Sequence, residues 1–283
     1  PGRVRPRRCS GPHAAAALGH EDAATHEAAG VEVWVLDRPD PLGGDKVGGP
    51  VLTSSNRSFI GVHEIAQVYG MTPGEYARLI QTERTPQIKL TVIPMAGWRR
   101  GLTFGDLGWV WVPPSEHIPR WESSLFYAMT GTFGELGAIS EGVGTPLPFE
   151  QFGAPWMDGP GVAAELNRRR LSGVWFRATT FRPRYGTFSG DFCQGVQIHL
   201  LDARVCNPAE VGVAILETLQ LIYPERRLFQ QREGERYAMF VRALGDDVLA
   251  QMLAAARLGE FQTRINTGLE GFLRRRAAVL IYE

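Results

Sequence analysis

The spacing of apolar positions changes several times along this chain, and each change marks a predicted element. Val31-Glu-Val-Trp-Val-Leu36 is a nearly unbroken apolar run that stops at Asp37. The pattern predicts a short strand buried on both faces of a parallel sheet, where helices cover each side and no polar alternation is needed. Asp37-Arg-Pro-Asp-Pro-Leu-Gly-Gly44 must follow as a loop, because each proline disfavours helix at the residue before it. Ligands of open α/β sheets sit beyond the carboxyl ends of the strands, which is where this loop falls. Met71-Thr-Pro-Gly-Glu-Tyr76 opens a helix, with Thr72 as N-cap, Pro73 in the first turn and Glu75 completing a capping box. Tyr76, Leu79 and Ile80 form its apolar face, and Lys89-Leu-Thr-Val-Ile-Pro94 reads as a second strand.

From Met95 to Asp158 the period is lost. Glycine, proline and aromatic residues dominate, with Trp98, Trp109, Trp111, Trp121 and Trp156. A long aromatic stretch of this kind is either a functional loop or an irregular layer packed on the sheet. Regularity then returns. Val174–Arg182 and Gly195–Leu201 alternate as strands do. Asn207-Pro-Ala-Glu210 starts a helix through Leu219 that stops at Pro224, and Asp246–Leu258 and Gln262–Ala278 read as two more helices. The predicted class is α/β: part of a Rossmann-like parallel-sheet domain over residues 31–112, then an α+β domain over residues 113–283.

Residues 1–30 do not share this patterning. They are rich in Arg, Pro, Ala and Gly, and three of the six histidines and Cys9 lie among them. They read as a disordered basic tail or, preferably, as sequence out of frame across a fragment boundary, with the first domain truncated at its start. A sheet lacking its first strands exposes an unpaired edge, so self-association is expected. Lys+Arg and Asp+Glu are equal at 30 each, which excludes the basic field that tracks nucleic acid. The apolar stretch Val211–Ile222 is interrupted by Glu217 and Gln220 and is too short to span a bilayer. Cys9, Cys193 and Cys206 match neither a disulfide framework nor a zinc site, and the histidines lack metalloprotease spacing, so no metal is expected. Cys193 and Cys206 read as buried free thiols. These features select neither a cytoplasmic nor an exported location.

Several blocks, in order, resemble those of the NamZ-like bacterial exo-β-N-acetylmuramidases, a glycosidase family. They include Val35-Leu-Asp-Arg-Pro-Asp-Pro-Leu42, Arg57-Ser-Phe-Ile-Gly61, Gly70-Met-Thr-Pro-Gly-Glu75 and Met95-Ala-Gly-Trp-Arg-Arg100. Further along stand Trp111-Val-Pro-Pro-Ser-Glu-His-Ile-Pro119, Gly134-Glu-Leu136, Ser140-Glu-Gly-Val-Gly-Thr145, Leu147-Pro-Phe149, Gly153-Ala-Pro-Trp156 and Cys193-Gln-Gly-Val-Gln-Ile-His199. The resemblance implies release of N-acetylmuramic acid from the non-reducing ends of peptidoglycan fragments, without cofactor. It also implies a Rossmann-like catalytic domain, an auxiliary domain and a cleft between them. The family's Pro-Glu-His-Gly glutamate, upstream of the Asp-Arg-Pro loop, has no counterpart here. Tyr69 stands where the family has histidine, and Ser115-Glu116-His117 departs from its Ser-Pro-Asn block.

Glycoside hydrolysis commonly uses two carboxyl groups, one protonated as acid and one ionised as base or nucleophile. Glu141, before the Gly-Val-Gly turn, and Glu135, after Gly134, rank first, with Glu150 behind them. Each also suits a structural role, capping a turn or satisfying backbone amides. The lactyl carboxylate of muramic acid calls for a fixed cation, best an arginine fork. Arg38, or Arg99 or Arg100 beside Trp98, are the candidates. Asp37, Trp98, Ser115, His117, Gln197 and His199 complete the expected saccharide contacts, although His199 on its strand suits a structural role equally well. A non-catalytic saccharide-binding chain is the opposing reading.

Overall fold

The computed structural model describes residues 32–230 and 235–283, so the reading of residues 1–30 lies outside the described residues. Strand β1 (Val33–Leu36) pairs in parallel with β4 (Leu90–Ile93), in register from Val33 opposite Leu90 to Leu36 opposite Ile93. Helix α1 (Pro73–Arg84) connects toward β4 and covers one face of the pair through Ala77 and Ile80. It starts where expected: the Thr72 hydroxyl accepts from the Glu75 amide, and the Glu75 carboxylate accepts from the Thr72 amide.

Burial of β1 on both faces is not observed. Trp34 is 58% exposed and Leu36 69%, and Ile93, paired with Leu36, is also exposed. Nothing among the described residues covers that side. The apolar run alone could not show this, because covering requires partner strands and helices rather than a property of the run.

A second two-stranded sheet escapes the pattern altogether. β2 (Gly48–Val51) and β3 (Ala66–Val68) pair antiparallel with an irregular register, and Gly-Gly-Pro-Val shows no alternation to reveal it. The stretch from Met95 to Asp158 also holds more order than its composition suggests. Helix α2 (Glu122–Thr130) buries Leu125, Phe126 and Met129, although Trp121 at its N-cap offers no side-chain cap. β5 (Gln151–Ala154) then enters a three-stranded antiparallel sheet in the order β5-β7-β6, with β6 at Val174–Phe181 and β7 at Cys193–Leu200.

That sheet builds the main core on one face only. Phe152, Val196, Ile198 and Phe176 point into a cluster with α2, α3 (Gly159–Arg168) and α4 (Pro208–Ile222). The Asn207 side chain caps α4 by accepting from the Ala209 and Glu210 amides. Four short helices follow: α5 (Glu235–Leu244), α6 (Asp247–Ala254), α7 (Leu258–Ile265) and α8 (Leu269–Ala277). The single helix predicted for Gln262–Ala278 is therefore two, broken where Gly268 adopts φ +83°. Phe272 of α8 and Val279 leave the main core and pack with Met71, Tyr76 and Leu79, so the chain's end returns to its first unit. Cys193 and Cys206 are free and buried, and burial pushes their thiols up to about 11 and about 12, so both stay protonated and inert at neutral pH.

Candidate functional site

The loop after β1 is held closed by internal charges. Asp37 turns toward the start of α1, where it accepts from the Thr72 hydroxyl at 2.7 Å and the Gly74 amide at 2.7 Å. Tyr282 donates its hydroxyl to the same carboxylate at 2.6 Å, and the Arg38 amide donates at 2.9 Å. Gly74 is required by this approach: a Cβ there would lie 2.8 Å from the Asp37 carboxyl carbon. Glu75, wholly buried, pairs with Arg100 and accepts from the Ile281 amide at 2.9 Å. Arg100 also donates to the carbonyls of Gly70 and Tyr282, and Arg276 donates to those of Tyr69 and Gly70. Trp98 is buried edge-on against Tyr282, with centroids 4.9 Å apart. Thus Asp37, Trp98 and Arg100 fasten the C-terminal segment onto the loop, while Arg38 and Arg99 stand exposed beside it. Asp40 keeps some contact with solvent, yet its carboxyl is packed round by protein, and burial pushes it up to about 7.

Glu141 and Glu135 come together in the second unit. Glu141 is buried, its carboxyl lies against Gly134, and a Cβ on that glycine would meet it at 2.9–3.0 Å. Burial, reinforced by the Glu135 charge, raises the Glu141 carboxyl above its ordinary range, against the opposing pull of Arg236. Oε2 of Glu141 is buried without a hydrogen-bond partner. Two neighbouring carboxyls in unlike environments are the arrangement acid–base chemistry uses.

The face of the β5-β7-β6 sheet turned away from the core carries a continuous polar chain. The register sets Arg177 opposite Gln197 and Trp175 opposite His199, all on that face. Arg177 donates from Nε to His199 Nε2 at 3.2 Å and from Nη2 to the Gln197 carbonyl. Gln197 in turn donates to Glu150 at 2.8 Å, and Arg120 pairs with the other Glu150 oxygen. Gln151, across from Gln197, donates to the Thr145 hydroxyl at 2.8 Å. The loop 182–192 closes toward the 142–145 turn, where the Arg184 amide donates to the Gly144 carbonyl and the backbone of Tyr185 leaves no room for a Cβ on Gly144. Tyr185 from that loop meets His117 at 3.3 Å, while Ser115 is exposed and its hydroxyl accepts from the His117 amide.

Gln197 and His199 are thus brought together, as are Glu141 with Glu135. Asp37 and Trp98 instead share the distant clasp around Tyr282. Arg177, Arg120 and Trp175 were not identified from the sequence; the pairing register sets Arg177 and Trp175 against Gln197 and His199, and Arg120 joins them through its ion pair with Glu150. Among the described residues no cluster of His, Cys, Asp or Glu could hold a metal ion, and no helix is long and apolar enough to cross a membrane.

Comparison with known proteins gives concordant matches. The family model for the N-terminal domain of exo-β-N-acetylmuramidase NamZ matches residues 20–122, and that for its C-terminal domain matches residues 125–282. The peptidoglycan β-N-acetylmuramidase NamZ of Bacillus subtilis (strain 168) is 38% identical over 196 residues, spanning 69% of this chain and 47% of that protein. The chain thus aligns with about half the length of that relative. A crystal structure of a DUF1343 family protein from Bacteroides fragilis NCTC 9343 superposes with TM-score 0.85 at 32% identity, covering 93% of this chain and 70% of the other. A second DUF1343 protein from the same strain gives TM-score 0.69 at 25% identity, covering 92% and 68%.

Proposed function

The chain belongs to the exo-β-N-acetylmuramidase NamZ family, and from that premise we propose that it acts on muramic-acid-containing saccharides of peptidoglycan, releasing N-acetylmuramic acid from non-reducing ends. The observation that carries the reading is the side of the β5-β7-β6 sheet turned away from the core, where the exposed Arg177 and Arg120 and the half-buried His199 join the buried Gln197 and Glu150 in one hydrogen-bonded array beside the exposed ring of Trp175. Such a face suits a sugar: a flat aromatic meets the C–H face of a pyranose, and fixed donors and acceptors meet its hydroxyl and acetamido groups. Glu141 is the proposed proton donor, with Glu135 as the neighbouring carboxylate. Ser115 and His117, with Tyr185, line the approach.

Turnover of a chromogenic N-acetylmuramide by this chain tests the reading, and release of the chromophore above the buffer rate is expected. A saccharide-binding chain without hydrolysis is the second reading. It is favoured by the commitment of Asp37 and Glu75 to internal hydrogen bonds, which removes both from chemistry. Measurable sugar binding with no turnover would select it.

Self-association belongs to the same proposal. Among the described residues nothing covers the apolar face that Trp34, Leu36 and Ile93 form on a two-stranded sheet, a surface that promotes pairing between copies. Light scattering is expected to show mass rising with concentration, and replacing Trp34 and Leu36 by threonine is expected to abolish the rise. A constant monomer mass at high concentration would remove this part of the proposal.

A further inference from the structure

The guanidinium of Arg177 is held in place yet incompletely used. Its five N–H donors include three that are engaged: Nε to His199 at 3.2 Å, Nη1 to the Ala178 carbonyl at 3.4 Å, and Nη2 to Gln197. One donor remains on each terminal nitrogen, and the residue is exposed. On this geometry His199 Nε2 is the acceptor for Arg177 Nε, which fixes one edge of the guanidinium. Gln197 is orienting too. Its amide nitrogen is fixed on Glu150, so its carbonyl must face Arg177. Glu150 itself is matched by Arg120, which leaves the charge of Arg177 without a carboxylate of its own among these contacts.

From this array we infer that Arg177 is the anion anchor of the saccharide site and takes the lactyl carboxylate that distinguishes N-acetylmuramic acid from N-acetylglucosamine. The inference rests on the saccharide reading above and adds the group that sets its specificity. Two remaining donors on a planar fork match two carboxylate oxygens, whereas a neutral hydroxyl uses only one. The arginines chosen from the sequence suit this role less well: Arg100 is buried against Glu75, and Arg38 and Arg99 lie with the clasp around Tyr282 rather than on the sheet face. Trp175, two residues before Arg177 on the same strand and the same face, would pack against the ring whose substituent Arg177 holds.

Titration calorimetry of the full chain with free N-acetylmuramic acid and free N-acetylglucosamine tests this. The unmodified chain is expected to bind the muramic sugar about tenfold to a hundredfold more tightly, the range for one charge-assisted contact. Arg177→Gln is expected to reduce that affinity to the level of N-acetylglucosamine, so that the preference between the two sugars is lost. Arg177→Lys, a point charge without the fork, should retain part of the preference. Circular dichroism and thermal melting should match the unmodified chain, since the side chain is exposed. A preference that persists in Arg177→Gln overturns the inference and leaves the saccharide reading standing. Equal binding of the two sugars by the unmodified chain also overturns it. Binding of neither sugar overturns both.

Discussion

Replacing Glu75 by leucine is expected to cost about 3–5 kcal/mol of folding stability, the range for leaving a buried partner charge uncompensated. Glu75 is wholly buried, and its carboxylate takes the Arg100 guanidinium together with the amides of Thr72 and Ile281. Leucine fills a similar volume but strands Arg100, which is itself buried. The carbonyls of Gly70 and Tyr282 still receive its donors, yet dipoles do not neutralise a charge as a carboxylate does. The loss also reaches the chain's end, because Ile281 and Tyr282 are tied to the first unit through Glu75, Asp37 and Arg100. Urea unfolding measures the destabilisation, and limited proteolysis should cut the C-terminal segment sooner in the variant. The double variant Glu75→Leu with Arg100→Met is expected to recover much of the loss, since removing both charges leaves neither unpaired. A loss below about 1 kcal/mol in the single variant would show that solvent reaches Arg100.

This clasp marks the limit of what the sequence discloses. Local rules were sufficient where the determinant is local. The capping box at Thr72 and Glu75, the Asn207 cap, and the strands β6 and β7 all appear where the patterning predicts, although β7 is buried without a break from Gly195 to Ile198 rather than alternating. What depends on distant segments stayed hidden. Tyr282 reaches Asp37 across nearly the whole chain, so an Asp at a strand's carboxyl end looks like a ligand contact when it is a tether. Arg100, beside Trp98 in a glycine-rich stretch, looks free until α1 and the last residues close over it. Arg177 illustrates the converse. Its place in an alternating strand marks it as solvent-facing, but only the β6–β7 register sets it against Gln197 and between neighbours that orient it. Glu141 and Glu135 come together over a short separation in the chain, with the Glu141 carboxyl lying against Gly134 beside Glu135.

Glu141→Gln is expected to lower turnover of a chromogenic N-acetylmuramide by about 10²–10⁴-fold, the usual contribution of a positioned acid or base, while stabilising the fold at neutral pH. The second half follows from the sign of the shift. Burial raises the Glu141 carboxyl above its ordinary value, so the folded chain binds this proton more tightly than the unfolded chain. Its contribution is therefore fully present below the unfolded carboxyl range, is lost as pH rises through the folded value, and becomes a net cost above it. Glutamine cannot ionise, so the variant should lack that decline when unfolding is followed from acid to neutral pH. It also presents an amide to the site where Oε2 has no partner. Glu135→Gln supplies the complementary readout. The Glu135 charge helps hold the Glu141 proton, so its removal should move the alkaline limb of the kcat/KM profile to lower pH. Glu150→Gln, by contrast, frees Arg120 and Gln197 on the saccharide face and should raise KM more than it lowers kcat. Stabilisation of Glu141→Gln with unchanged turnover would assign that glutamate to structure alone. Loss of kcat on Glu150→Gln in place of Glu141→Gln would move the chemistry onto the sheet face, next to Arg177.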